Sequence, residues 1–186
     1  MRLLTSAASR RIPWKNGLGT TLEIATDAAE PGGEWSWRLS IADIPSRARF
    51  STFPGMDRLI ACLAGTGLNL ERAGKLQLAP CEGNALSFAG EEFVTGEPLG
   101  PGVRDVNLMF RRDRWRGRMT LARSRALSLD APLILVHVPE ESPRLHVDTA
   151  EGACELAAGT TLIVSGHVAI SDAPGSVAVA CVLTSV

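Results

Sequence analysis

The chain has 186 residues, of which 45% are hydrophobic and 21% charged, and its formal net charge is −1. That balance is too apolar and too nearly neutral for intrinsic disorder, and the length suits one large or two small domains with a real core. With 18 glycines and 11 prolines, many short elements are favoured over a few long helices, which sets an all-helical bundle aside.

From the N-terminus, Met1 to Arg11 is basic but lacks the apolar run of about 7 to 15 residues of a secretory signal. No stretch approaches the roughly 18 to 20 apolar residues that span a bilayer, so the expected location is the cytoplasm. Next comes Ile12-Pro13-Trp14-Lys15-Asn16-Gly17-Leu18-Gly19, in which two glycines flank a leucine and a lysine lies close by. Backbone N–H groups of such a loop can point into one concavity and cradle an anion. On this stretch alone the favoured reading is a structural turn with Trp14 anchored in the core and Lys15 in solvent. The loop is not a P-loop, because the GxxxxGK[ST] order is absent and a strand rather than a helix comes after it. Lys15 stands out for another reason: it and Lys75 are the only lysines beside 17 arginines.

Strand periodicity dominates the rest of the chain. Thr21 to Ala25 reads as a strand, and residues 34–42 alternate, with Trp35, Trp37, Leu39 and Ile41 on one face and Ser36, Arg38 and Ser40 on the other. Phe53-Pro54-Gly55-Met56-Asp57-Arg58 is a turn leading to an Asp-Arg pair, either a carboxylate-orienting fork or a self-satisfied surface ion pair. Further strands are expected at Arg58 to Leu63, Leu68 to Glu71, Leu76 to Leu78, Arg118 to Ala122, Leu133 to Val138, Thr161 to Val164 and Val177 to Leu183. In Asp105 to Arg111, Asp105, Asn107, Met109 and Arg111 share one face and Val106, Leu108 and Phe110 the other. That polar face either lines a barrel lumen, where it needs partners or a ligand, or simply meets water.

Leu59 to Gly90 and Leu133 to Gly166 repeat the same sequence of short strands and glycine turns. Any two stretches of antiparallel sheet share some of that spacing, yet duplicated sets of four strands suit a jelly-roll or cupin barrel. The fold class expected is therefore all-β.

Catalytic signatures are sparse: there is no GxSxG elbow and no HExxH. His137, His146 and His167 all fall in the second half, without the His-x-His of a cupin metal site, so neither a metal nor a cofactor is expected. Cys62, Cys81, Cys154 and Cys181 form no CxxC pair and sit mostly in apolar runs, which fits reduced, buried thiols. Seven arginines between Arg111 and Arg125, with Trp115, could contact nucleic acid. Strand alternation would split them between faces, so no nucleic-acid partner is expected, nor a membrane.

Four blocks in order, Pro13-Trp14-Lys15-Asn16-Gly17-Leu18-Gly19-Thr20-Thr21-Leu22-Glu23-Ile24, Trp37 to Ala42, Phe50 to Arg58 and Asp105 to Met109, resemble the HutD/Ves family. The resemblance covers roughly residues 10–112; the second half matches less distinctively. It implies a double-stranded β-helix (jelly-roll) fold of the RmlC-like cupin superfamily with two tandem barrels, a bicupin. Residues 1–112 would form the N-terminal barrel with the motifs and the pocket, and residues 113–186 the C-terminal barrel. Some relatives are encoded with histidine-utilisation enzymes and others are described as stress-induced, without an established reaction. The implied role is accessory or regulatory: sensing a small anionic metabolite such as formylglutamate. Carried over residue by residue, the motifs nominate Lys15, Asn16, Glu23, Arg38, Asp57, Arg58, Asp105 and Asn107 as ligand-binding. Lys15 would attract a carboxylate, Arg38 grip it, Asn16 and Asn107 read neutral polar groups, and Asp57 and Glu23 orient the cations. Leu18 departs from the pattern, since relatives commonly carry glycine there. A metal-independent isomerase or hydrolase using Glu23 or Asp105 with Lys15 is the alternative, and a homodimer is left open.

Overall fold

A computed structural model describes residues 1–14 and 19–186. The described residues form strands β1 (Arg2–Leu4), β2 (Arg10–Pro13), β3 (Thr20–Thr26), β4 (Trp37–Asp43), β5 (Ala48–Arg49), β6 (Met56–Ala64), β7 (Leu68–Arg72), β8 (Lys75–Leu78) and β9 (Gly83–Asn84). Next in the chain are β10 (Leu86–Ala89), β11 (Val94–Pro98), β12 (Arg104–Arg111), β13 (Trp115–Arg123), β14 (Leu127–His137), β15 (Leu145–Thr149), β16 (Gly152–Leu156), β17 (Thr161–Ile170) and β18 (Val177–Ser185). Helix among the described residues is confined to the short 3-10 turn Ser6–Ala8. The protein is all-β, as the strand periodicity requires.

The strands fall into two compact units: one of Ser9–Cys81 and Ala85–Arg114, the other of Met1–Ala8, Glu82–Asn84 and Trp115–Val186. In the first, a six-stranded sheet runs β10-β6-β12-β4-β3-β2 and a four-stranded sheet runs β5-β11-β7-β8. One core cluster draws on both sheets, with Ile60 and Cys62 from β6, Leu68 and Leu70 from β7, and Phe88 and Val94 from β10 and β11. Alternation along β6 and β7 turns these side chains inward, and burying each large aliphatic contributes roughly 1.5–3 kcal/mol. β7 and β8 are joined by Ala73 and Gly74, both at positive φ (47° and 74°), the geometry of a two-residue hairpin turn.

The second unit is an eight-stranded sheet, β16-β15-β17-β14-β18-β13-β9, with β1 added alongside β17. Its core is aliphatic throughout, from Ile134, Val136 and Val138 on β14 and its end to Leu162, Val164, Val168 and Ile170 on β17. The pairing order β17-β14-β18-β13 has the same form as β10-β6-β12-β4 in the first unit. The hairpin β15–β16 comes after β14 as β7–β8 comes after β6. The long β17 pairs with both β14 and β15, a task that β10 and β11 divide in the first unit.

Two details differ from the sequence reading. Trp35 does not share the apolar face of Trp37, because the strand begins only at Trp37, where Asp27 accepts the backbone N–H groups of Ser36 and Trp37 and fixes the entry. Cys81 is exposed and Cys154 half-buried, whereas Cys62 and Cys181 are buried; none of the four is in a disulfide. Among the described residues no helix is long and apolar enough to cross a membrane.

Candidate functional site

Strand register in the first unit decides which side chains meet. Met109 on β12 lies between Arg38 on β4 and Arg58 on β6; Asn107 lies between Ser40 and Ile60; Asp105 lies between Ala42 and Cys62. Because side chains alternate, this entire set points to one face, and Leu39, Ile41, Leu59, Val106 and Leu108 point to the other, where all are buried. The polar face opens onto a cavity of about 400 Å³. Its walls are Arg38, Ser40, Ala42, Arg58, Asp105, Asn107 and Met109 from the sheet, Ile12, Pro13, Trp14 and Thr21 from β2, β3 and the residue after β2, and Arg49, Phe50, Ser51 and Phe53 from β5 and the segment after it.

Two arginines dominate the cavity, and aromatic rings rather than carboxylates hold them. The Arg58 guanidinium sits 5.1 Å from the Phe88 ring centroid, 5.2 Å from Phe50 and 5.9 Å from Phe53, and its Nη1 donates to the Ser51 carbonyl at 3.1 Å. Arg38 lies over Trp35 at 4.7 Å and over Phe53 at 5.6 Å. The negative faces of the rings attract the cations, and each such contact is worth about 0.5–1 kcal/mol, up to about 2 when desolvated. Arg58 is only 6% exposed; burial pushes its guanidinium down to about 10, with Asp105 opposing and Arg38 adding to the effect. Burial likewise lowers Arg38, against the attraction of Glu23. The Nε of each arginine is buried without a hydrogen-bond partner among the described residues. Arg49 reaches the cavity with its guanidinium 4.0 Å from the exposed Phe93 ring.

Asp105 is 4% exposed, and burial pushes its carboxyl up to about 7, against the pull of Arg58 and a hydrogen bond from the Ala42 backbone. Its Oδ1 and the Oδ1 of Asn107 have no hydrogen-bond partner among the described residues. A register shift between Arg104 and Asp105 in the β12–β6 ladder lies at this point, the type of irregularity that re-aims a side chain.

Of the residues nominated from sequence, Arg38, Arg58, Asp105 and Asn107 come together in the cavity. Lys15 and Asn16 lie outside the described residues, as do Gly17 and Leu18 of the loop. Glu23 is buried but is not among the lining residues; its Oε1 is 3.4 Å from Arg10 Nη2. Asp57 does not pair with Arg58, because consecutive strand residues face opposite ways. It accepts from Arg112 Nε at 2.9 Å, and Arg112 also binds Glu91 and the Met56 carbonyl. Trp14 is anchored by its indole N–H, which donates to Thr21 Oγ1 at 2.9 Å.

Sequence reasoning passed over the ring supports. Phe50 and Phe53 stand in a matched block beside Arg58, and Trp35 is close to Arg38 in the chain but lies off the face that strict alternation gives it, so aromatic residues flanking strand arginines are the available signal.

The donor set does not suit a metal of the cupin kind. The described lining holds three arginines, one carboxyl group, and no histidine or cysteine. In the second unit the buried His137 Nδ1 is engaged with Thr161 Oγ1 at 2.9 Å, and among the described residues no cluster of three His, Cys, Asp or Glu could hold an ion.

A family model described as HutD matches residues 6–179. An uncharacterized 21.2 kDa protein in the hutC 3' region of Pseudomonas putida is 40% identical over 119 residues, covering 64% of this chain and 63% of that protein. Protein Ves of Cronobacter sakazakii is 36% identical over 110 residues, covering 59% of this chain and 60% of its own. The chain thus spans about three fifths of the length of these curated relatives. HutD from Pseudomonas fluorescens SBW25, solved in a formate condition, superposes with a TM-score of 0.78 at 27% identity, covering 100% of this chain and 98% of that one. A cupin 2 conserved barrel domain protein from Leptotrichia buccalis, 11% identical, superposes with a TM-score of 0.51 over 86% of this chain and 92% of that chain, a likeness of fold alone.

Proposed function

This chain belongs to the HutD family, and on that premise we propose that it is a cytoplasmic bicupin that binds a small anionic metabolite in the cavity of its first unit. The matching strand orders of the two units support the reading of two tandem barrels. The observation that carries the ligand class is the support of Arg38 and Arg58 by aromatic rings. A guanidinium neutralised by a carboxylate has its hydrogen-bonding edges occupied; one held on π faces keeps them free for a ligand anion. The cavity is of a size for a small metabolite rather than a macromolecule. Formylglutamate, in an accessory or regulatory role in histidine utilisation, is the leading ligand, and the name of the Pseudomonas putida relative favours that pathway over a stress response.

Isothermal titration against formylglutamate, urocanate, glutamate and formate, with Lys15→Ala and Arg58→Met as controls, tests the proposal. Binding of at least one acid that Arg58→Met weakens is expected; no binding by any of them refutes it.

A second reading, a metal-independent isomerase or hydrolase, is favoured by one observation: Asp105, a buried cavity carboxyl held at about 7, has the proton affinity of a general acid or base. Glu23, the other carboxylate nominated for that role, is turned to Arg10. Conversion of any of the four acids by the wild type, lost in Asp105→Asn, would establish this reading.

A further inference from the structure

Among the described lining residues, Arg38, Arg49 and Arg58 face a single carboxyl group, Asp105. Asp105 Oδ1 is buried and has no hydrogen-bond donor among the described residues, and Arg58 acts on the carboxyl through space. Arg58 from β6 and Asp43 from β4 act on it, Arg38 from β4 and Arg49 from β5 line the same cavity, Arg104 precedes it on β12, and Glu23 and Arg10 form a pair on β3 and β2. Residues 15–18 lie outside the described residues.

Resting on the anion-binding reading above, we propose that the cavity binds its anion together with a proton held on Asp105, so that the ligand is taken up as an acid equivalent. The proton comes from solvent and no covalent bond changes. An anion seated on Arg58 withdraws the attraction that favours ionised Asp105 and places a like charge near it, and both effects drive the carboxyl to its neutral form. The neutral form gains an O–H donor that can serve the ligand, whereas an ionised carboxylate in the same position would repel it. Burial already holds the free carboxyl at about 7, so the ligand need supply only a modest bias near neutral pH.

Calorimetric titration with N-formylglutamate at pH 7, in two buffers of different ionisation enthalpy, reads the protons taken up per ligand. About half a proton is expected, with a Kd that weakens by up to about tenfold per pH unit above neutrality. Asp105→Asn is expected to lose both the uptake and that pH dependence. Wild-type binding without proton uptake, or uptake that persists in Asp105→Asn, overturns the proton proposal and leaves the anion site standing. Failure of formylglutamate, urocanate, glutamate and formate alike to bind refutes the anion site and the proton proposal together. Should Asp105→Asn fail to fold, Asp105→Ser is read in its place, and wild-type binding without proton uptake overturns the proton proposal on its own.

Discussion

Replacing Arg58 by methionine should leave stability nearly unchanged while weakening ligand binding strongly. Arg58 is 6% exposed, and burial lowers it from the ordinary arginine value to about 10, which corresponds to a penalty on the order of 3 kcal/mol for keeping the cation in the folded protein. Methionine removes that penalty and keeps much of the stem volume against Phe50, Phe53 and Phe88. Against this stands the charge-assisted bond from Nη1 to the Ser51 carbonyl, worth roughly 1.5–3 kcal/mol, and the ring contacts, each about 0.5–2 kcal/mol. The methionine thioether makes its own contacts with the three rings, roughly 0.3–1.5 kcal/mol each, so the opposing contributions cancel to within about 2 kcal/mol and urea denaturation of the variant should fall within that margin of the wild type. Binding should weaken about tenfold to a hundredfold, the loss of one charge-assisted hydrogen bond to the ligand. A variant destabilised by well over that margin, yet still binding normally, would show that Arg58 is a structural residue and refute the reasoning.

Three further outcomes rest on particular contacts. The Asp105 carboxyl is raised from 3.8 to about 7, so its contribution to stability is full below about pH 4 and falls as pH rises towards 7, by up to about 4 kcal/mol; denaturation of Asp105→Asn beside the wild type across that window should show the difference. An equal pH dependence in both proteins would contradict a carboxyl whose ionisation is opposed by burial. For the buried His137, lowered from 6.5 to about 4, the sign is opposite: stability is present above 6.5 and is lost as pH falls to about 4, by about 3 kcal/mol, and His137→Asn should lack that acid limb in the same assay. A Cβ on Gly90 would lie 2.3 Å from the Phe53 carbonyl oxygen and 3.1 Å from that of Met56, where the backbones of Phe53, Met56 and Gly90 are hydrogen-bonded together. Gly90→Ala should therefore cost about 1–3 kcal/mol in thermal denaturation and weaken ligand binding, since Phe53 supports both arginines. A neutral effect on both would place the segment outside the site.

How much of this was legible in sequence varies with distance along the chain. The alternation of Asp105, Asn107 and Met109 against Val106, Leu108 and Phe110 sorted the two faces of β12 correctly, because a strand's period of two is a local property. The same alternation makes Asp57 and Arg58 diverge, and reading them as a pair took sequence adjacency for spatial contact. The ring supports of Arg58 come from Phe50, Phe53 and Phe88, whose convergence depends on the β6–β10 pairing and on a close backbone approach at Gly90, neither of which a local pattern encodes. Nor does local pattern reveal that β1, at the N-terminus, pairs with β17 near the other end of the chain, or that Gly83–Asn84 joins β13. The resemblance of four blocks supplied Arg38, Arg58, Asp105 and Asn107 as a group; the fold supplied the reason that they meet.

The central claim is that Arg38 and Arg58 hold the ligand anion within the first unit. A crystal structure of the protein with N-formylglutamate tests it most directly. The expected result is a carboxylate within hydrogen-bond distance of both guanidinium groups, with Asp105 and Asn107 close to the remainder of the ligand. Ligand bound elsewhere on the chain, with the cavity holding only water, would contradict it.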